Sequence, residues 1–181
     1  MFDTPVGRCA IVWRGVAVIG SALPDVSDER MCDSIRRRFP DADEQQPPPA
    51  IETAIPAVRR LLEGQVEEFG EIPFSLEGLS DFERAVLEET FRIPVGETRT
   101  YGEIAAALDA PGASRAVGAA LGRNPNPIII PCHRVLGANG RSGGFSAPGG
   151  ARTKLKMLEI EGARRSGQPE LFERLPWRTK G

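Results

Sequence analysis

Residues 100–122, TYGEIAAALDAPGASRAVGAALG, decide how the second half of this chain folds. Thr100 is a helix-capping residue and Glu103 stands three positions on. At that spacing the hydroxyl and the carboxylate each satisfy an orphan N–H of the first helical turn. The helix that follows carries Ile104 and Leu108 four residues apart, and Pro111-Gly112 ends it in a short turn. Ser114 reads as the cap of a further helix from Arg115 to about Gly122. Helix, short glycine-containing turn, helix is the helix-turn-helix pattern. The second of these helices is built from small residues: Ala116, Gly118, Ala119, Ala120 and Gly122, with Val117 and Leu121 as a narrow apolar face. So bare a backbone can approach a phosphate chain, with Arg115 and Arg123 as flanking charges. It can equally pack tightly against a neighbouring helix.

Downstream, Asn124-Pro125-Asn126-Pro127 forms a stiff turn into Ile128-Ile129-Ile130-Pro131-Cys132-His133-Arg134-Val135. The β-branched run predicts a buried strand, and Pro131 stops it. Cys132 therefore stands where rigid structure gives way to a turn. His133 is the only histidine in the chain. An unperturbed thiol, with pKa about 8.5, is only a few per cent thiolate at neutral pH, so a reactive Cys132 needs a base. Neighbouring side chains diverge, which sets the pair poorly for a direct hydrogen bond. A bridging water resolves this if His133 turns inward toward a carboxylate, which spacing does not identify. Gly137 to Gly140 reads as a turn. The glycine-rich loop 143–150 lacks P-loop spacing and reads as a flexible pocket wall. A last helix runs from about Ala151 to Glu161, with Leu155, Leu158 and Ile160 inward and Gly162 ending it.

Upstream, Ser80-Asp81-Phe82-Glu83 is another capping box, with Phe82, Ala85 and Val86 as the inward face. Residues 8–23 predict a β-hairpin around Arg14-Gly15. A helix from Asp28 to Phe39, capped by Ser27, carries Met31, Ile35 and Phe39 as its buried stripe. Ile51, Ile55, Val58 and Leu62 mark a further helix, in which Pro56 either makes a kink or sits in the first turn. Residues 41–49 are a proline-rich connector and 64–78 a linker. The expected architecture is an α/β N-terminal domain (small sheet plus helices) over 1–75. A mostly α C-terminal domain with the helix-turn-helix follows over 76–165, then a tail over 166–181.

The net charge of −2 hides an asymmetry. Residues 1–96 hold ten Lys and Arg against eighteen Asp and Glu, whereas 97–181 hold thirteen against seven. The basic half carries Cys132, and a basic surface suits a polyanion as well as plain solvation. Three irregularly spaced cysteines make no disulfide framework. The N-terminus lacks signal-peptide character and no apolar stretch approaches the roughly 20 residues of a membrane helix, so a cytoplasmic protein with reduced thiols and no membrane partner is expected.

Taken together, these motifs resemble the O6-alkylguanine-DNA alkyltransferases (methylated-DNA–protein-cysteine methyltransferases) over roughly 80–163. The match runs in order through Tyr101-Gly102-Glu103-Ile104-Ala105, Ser114-Arg115-Ala116-Val117-Gly118, Asn124-Pro125, Ile130-Pro131-Cys132-His133-Arg134-Val135, Gly144-Phe145-Ser146, and Lys154 through Glu161-Gly162. The resemblance implies that Cys132 accepts the alkyl group from O6-alkylguanine, and from O4-alkylthymine, in double-stranded DNA. His133 would act as base through water with Glu161 orienting it, and Asn124 would brace the helix-turn-helix against the reactive loop. Tyr101 would help extrude the nucleotide and Arg115 would fill the gap from the minor groove. Arg115, Ala116, Gly118, Ala119, Leu121 and Arg123 would meet DNA, and Val135, Phe145 and Ser146 would line the base pocket. A flipped base suits the chemistry, because a stacked base cannot present its O6-alkyl group to a recessed thiol. No cofactor and no metal are implied, and a monomer is expected. Cys9 and Cys32 have no histidine partner for the structural zinc that some relatives hold. Phe145 stands where the family often has tyrosine, and Ala147-Pro148 lengthens the pocket loop. The alternative is a helix-turn-helix protein that binds DNA or recognises lesions without chemistry; such relatives lack the cysteine.

Overall fold

The computed structural model describes residues 1–165, so the tail over 166–181 lies outside the described residues. The N-terminal sheet has three antiparallel strands in the order β1 (Phe2–Thr4), β2 (Gly7–Arg14), β3 (Ala17–Ala22). The β2–β3 hairpin turns at Gly15-Val16, and a bulge falls between Val12 and Trp13. Helix α1 (Asp28–Arg38) starts where expected: the Ser27 hydroxyl accepts from the Arg30 N–H at 3.3 Å. Of its stripe only Met31 is buried; Ile35 and Phe39 are half-buried, and the Phe39 ring lies against Gly20 of β3. Pro56 occupies the first turn of α3 (Ala54–Leu62), which follows the short α2 (Pro49–Glu52). The segment 64–78 is no loose linker. Val18 N donates to Pro73 O and Ser75 N to Val18 O, both at 2.8 Å, and Phe69, Ile72 and Leu76 are buried.

Both capping boxes form. Ser80 and Glu83 open α4 (Asp81–Phe91), and Thr100 and Glu103 open α5 (Tyr101–Ala107). The inward face of α4 is Val86, Leu87 and Thr90, one position on from the expected stripe. Helix α6 begins at Ser114 itself, with Ala113 as a cap that offers no side-chain acceptor. The second half is also less purely helical than expected. A parallel sheet of very short strands, in the order β5 (Val135–Leu136), β4 (Glu97–Thr100), β6 (Arg164–Arg165), ties the reactive segment to the start of α5. Helix α7 (Ala151–Ile160) buries Lys154, Met157 and Leu158 in place of Leu155 and Ile160.

Two large hydrophobic cores and a small third cluster (Leu136, Leu158, Ala163) form among the described residues, and the isoleucine run is shared between the two large ones. Ile128 and Ile129 pack with the N-terminal sheet, α2, α3 and Met157. Ile130, Cys132 and Val135 pack with α4, α5 and α6. Phe74, Phe91 and Phe145 touch both cores, and the Phe74 and Phe91 rings lie 5.0 Å apart. Each buried isoleucine contributes on the order of 2 kcal/mol, so the run is pinned from both sides. It is nevertheless not a strand. Ile128 adopts φ +85°, a left-handed conformation that a β-branched residue rarely takes. The run keeps the expected burial while the backbone bends between the cores.

Candidate active site

The bend is held by named contacts. Asn124, just past α6, donates its amide to Ile130 O at 2.8 Å and accepts the Asn126 N–H at 3.0 Å. The N-terminal domain grips the same segment: Ser21 N donates to Pro125 O at 2.9 Å, Arg38 Nη2 to Pro125 O at 2.8 Å, and the Ser21 hydroxyl to Pro127 O. Pro131 then has φ −80° and ψ 62°, and Cys132 N donates to Ile130 O at 2.8 Å. That geometry is an inverse γ-turn. It delivers Cys132 to the first position of a single 3-10 turn, Cys132–Arg134.

Cys132 is 7% exposed and His133 is fully buried. His133 Nε2 lies 2.9 Å from Glu161 Oε1, and its Nδ1 has no partner among the described residues. Arg134 grips the same carboxylate with two prongs, Nε to Oε2 and Nη2 to Oε1, each at 2.8 Å. Its remaining nitrogen Nη1 donates to Ile93 O at 2.6 Å. Lys154, also fully buried, donates to Val135 O at 2.6 Å and lies 5.6 Å from the Tyr101 ring centroid and 6.0 Å from that of Phe145.

Charge states follow from this packing. Burial pushes the Cys132 thiol above its ordinary pKa, against the Asn124 amide, the Lys154 ammonium and the N–H groups of Cys132 and His133, which all favour the thiolate. Burial also pushes His133 down; Glu161 opposes this, while Arg134 and Lys154 reinforce it, so the imidazole is neutral at pH 7. Burial alone would raise the Glu161 carboxyl, but His133 and Arg134 outweigh it and hold the pKa at about 2. Burial lowers Lys154 to about 8. A neutral imidazole that turns Nε2 to a carboxylate keeps the Nδ1 lone pair free to accept from water.

Cys132, His133, Glu161, Asn124 and Tyr101 thus gather around one turn. On α6, Arg115, Ala116 and Ala119 are exposed, and Arg115 has no hydrogen bond or ion pair among the described residues. Gly118 backs onto Tyr101: a Cβ there would meet the ring at 3.7 Å. Leu121, one of the six residues expected at DNA, points instead into the second core, because it shares a helical face with Val117. Arg123 pairs with Glu83 at 2.5 Å, which braces α6 against α4. In the pocket set Val135 is buried, Phe145 packs against both cores, and Ser146 is exposed on the loop. Tyr101 Oη donates to Gly144 O at 3.4 Å, and Gly143, at φ +62°, leaves room for that phenol: a Cβ would fall 2.7 Å from it.

Two further participants, Arg134 and Lys154, lie outside the site residues that the sequence singles out. Arg134 stood inside the reactive motif but read as one of many basic residues. Lys154 lies on the stripe 154, 157, 158, 161, at i, i+3, i+4, i+7, which was legible as a buried face had a lysine been allowed on it.

Residues 81–163 match the model of a family described as 6-O-methylguanine DNA methyltransferase, DNA binding domain. The methylated-DNA–protein-cysteine methyltransferase of Mycobacterium bovis is 36% identical over 94% of this chain and 96% of its own length. Among solved structures, Mycobacterium tuberculosis OGT in complex with DNA is 35% identical, covers 88% of this chain and 89% of that one, and superposes with a TM-score of 0.69. The O6-methylguanine-DNA methyltransferase of the archaeon Pyrococcus kodakaraensis is 30% identical over 86% of this chain and 91% of that one, with a TM-score of 0.63.

Proposed function

The chain belongs to the 6-O-methylguanine DNA methyltransferase family, and from that premise we propose that it repairs DNA by moving the alkyl group of O6-alkylguanine onto its own Cys132. The observation that carries this is a recessed thiol beside a neutral histidine whose Nδ1 has no partner among the described residues. The thiol proton passes through a water to His133 Nδ1. The sulfur then attacks the alkyl carbon, a C–S bond forms, and the C–O6 bond breaks. The electron pair leaves on the guanine, which takes up a proton to become ordinary guanine. The thioether has no competent leaving group, so each molecule acts once.

Double-stranded DNA is the partner. The α5–turn–α6 pair acts as its helix-turn-helix, supported by the exposed Arg115, Ala116 and Ala119 face. The lesion is flipped out of the stack, at a cost of a few kcal/mol, and Arg115 enters from the minor groove to fill the void. Its side chain's lack of a partner among the described residues supports this. Tyr101 and Phe145 take the flipped base beside Val135 and Ser146; their contacts with Lys154 and the 143–150 loop support that placement. O4-alkylthymine is a second substrate for the same pocket. One chain supplies every residue of the site, which supports a monomer, and three free thiols suit the cytoplasm. Titrating the protein against duplex DNA containing O6-methylguanine tests this. Loss of the modified base, measured in hydrolysed DNA, should stop at one lesion per protein molecule; no loss, or loss beyond that ratio, contradicts it.

A further inference from the structure

We propose that Arg134 is a positioning residue for the alkyl transfer, holding Glu161 and through it His133 in the one arrangement that leaves the imidazole neutral and its Nδ1 open. This rests on the alkyl-acceptor reading of Cys132. The Arg134 side chain is 5% exposed, and three of its donors are used: two on Glu161 and one on Ile93 O. Glu161 lies one residue beyond α7, and Ile93 lies two residues beyond α4. The guanidinium therefore ties two helix ends to the 3-10 turn that carries Cys132.

The grip fixes charge as well as place. Glu161 Oε1 is shared between His133 Nε2 and Arg134 Nη2. With Arg134 in place the carboxylate is already neutralised, and a proton on His133 would add net positive charge to a buried site. Without it, the carboxylate would face the imidazole alone and hold a proton on it, and a protonated His133 cannot accept from the water at Cys132. The other elements packed on the turn do not replace Arg134. α4 presents Val86, Leu87 and Thr90 as its buried face, with the Thr90 hydroxyl donating to Val86 O. β4 brings Arg99, which is committed to Glu89 at 2.5 Å. α7 brings Lys154, held on Val135 O, and α5 brings the Tyr101 phenol beyond it.

The test follows the reaction of Cys132 with free O6-benzylguanine, which needs no DNA contact, across about pH 5–9, where imidazole titrates. The wild-type rate should fall at the acid end, where His133 takes up a proton, and ease above about pH 8, where Lys154 loses the charge that favours the thiolate; only the acid limb reports on Arg134. In Arg134→Gln the acid limb should move up by about 1–3 pH units, the usual effect of an uncompensated carboxylate, with recovery toward the wild-type rate at alkaline pH. Arg134→Lys keeps the charge but not the fork, so its limb should stay in place beneath a lower plateau. A folded Arg134→Gln protein that loses the same factor at every pH, or none, overturns the proposal. Should that variant not fold, Arg134→Lys decides: a lowered plateau on an unmoved limb supports the role, and full activity or a displaced limb refutes it. Wild-type protein that leaves Cys132 unmodified would instead sink the alkyl-acceptor reading itself.

Discussion

Replacing Lys154 by methionine removes a buried amine at nearly constant length, so packing changes little. Lys154 is fully buried, and its pKa falls from 10.5 to about 8, chiefly through burial. That gap corresponds to about 3 kcal/mol by which the fold disfavours the charged amine at neutral pH. Between about pH 8 and pH 10.5 the unfolded lysine keeps its proton while the folded one has lost it. The unfolded state then binds more protons, and this contribution makes stability rise with pH. Burial of the thiols acts in the opposite sense: the Cys9 thiol, for example, is pushed up to about 11. Only the difference between wild type and variant isolates the lysine. Loss of the bond to Val135 O costs on the order of 1–3 kcal/mol, which leaves Lys154→Met near wild-type stability at pH 7. Urea unfolding at pH 7 and at about pH 10 should find wild type gaining about 3 kcal/mol on the variant. The variant should also react more slowly at Cys132, since it lacks the cation that favours the thiolate. A stability difference that does not change with pH, together with an unchanged rate, would refute the charge assignment.

Glu161→Gln should remove a second pH-dependent contribution. The folded carboxyl titrates at about 2 against 4.5 in the reference state, so it stabilises the fold by about 3 kcal/mol above pH 4.5 and loses this as pH falls toward 2. Acid unfolding should be flatter in the variant, which also leaves Arg134 buried without its counter-charge; an identical acid slope would contradict the pairing. Arg115→Ala should slow repair of duplex DNA far more than reaction with free O6-benzylguanine, and equal losses would count against a role in base flipping. Arg38→Ala removes one of the two donors to Pro125 O, Nη2 at 2.8 Å, and leaves the Ser21 N–H at 2.9 Å; it should lower stability by about 1 kcal/mol, read as a calorimetric Tm drop of a few degrees. An unmoved Tm would show that the Arg38 bond adds nothing to the grip of the N-terminal domain on this segment.

What was legible in the sequence was local. Ser27, Ser80 and Thr100 each begin a helix because cap and N-terminal turn lie within a few residues. Burial of the isoleucine run was legible too, but its backbone was not. Ile128 bends into φ +85° because Asn124, Ser21 and Arg38 hold the surrounding carbonyls and the two cores take alternate parts of the run. β4, β5 and β6 escaped notice because strands of two to four residues carry no periodicity and pair only across long stretches of chain. Lys154 and Arg134 were hidden for a different reason. A charged residue on an apolar stripe reads as solvent-facing until its partners, Val135 O, Glu161 and Ile93 O, are known. Glu161 came from the family resemblance, since nothing in the spacing from 133 to 161 picks it out.

Consumption of Cys132 by an alkyl group taken from DNA is tested most directly by intact-mass analysis of the protein after mixing with duplex DNA containing O6-methylguanine, followed by peptide mapping. Alkyl transfer predicts a gain of one methyl group, confined to the peptide that carries Cys132 and absent from Cys132→Ser. An unchanged mass, or a methyl group on any other residue, would contradict it.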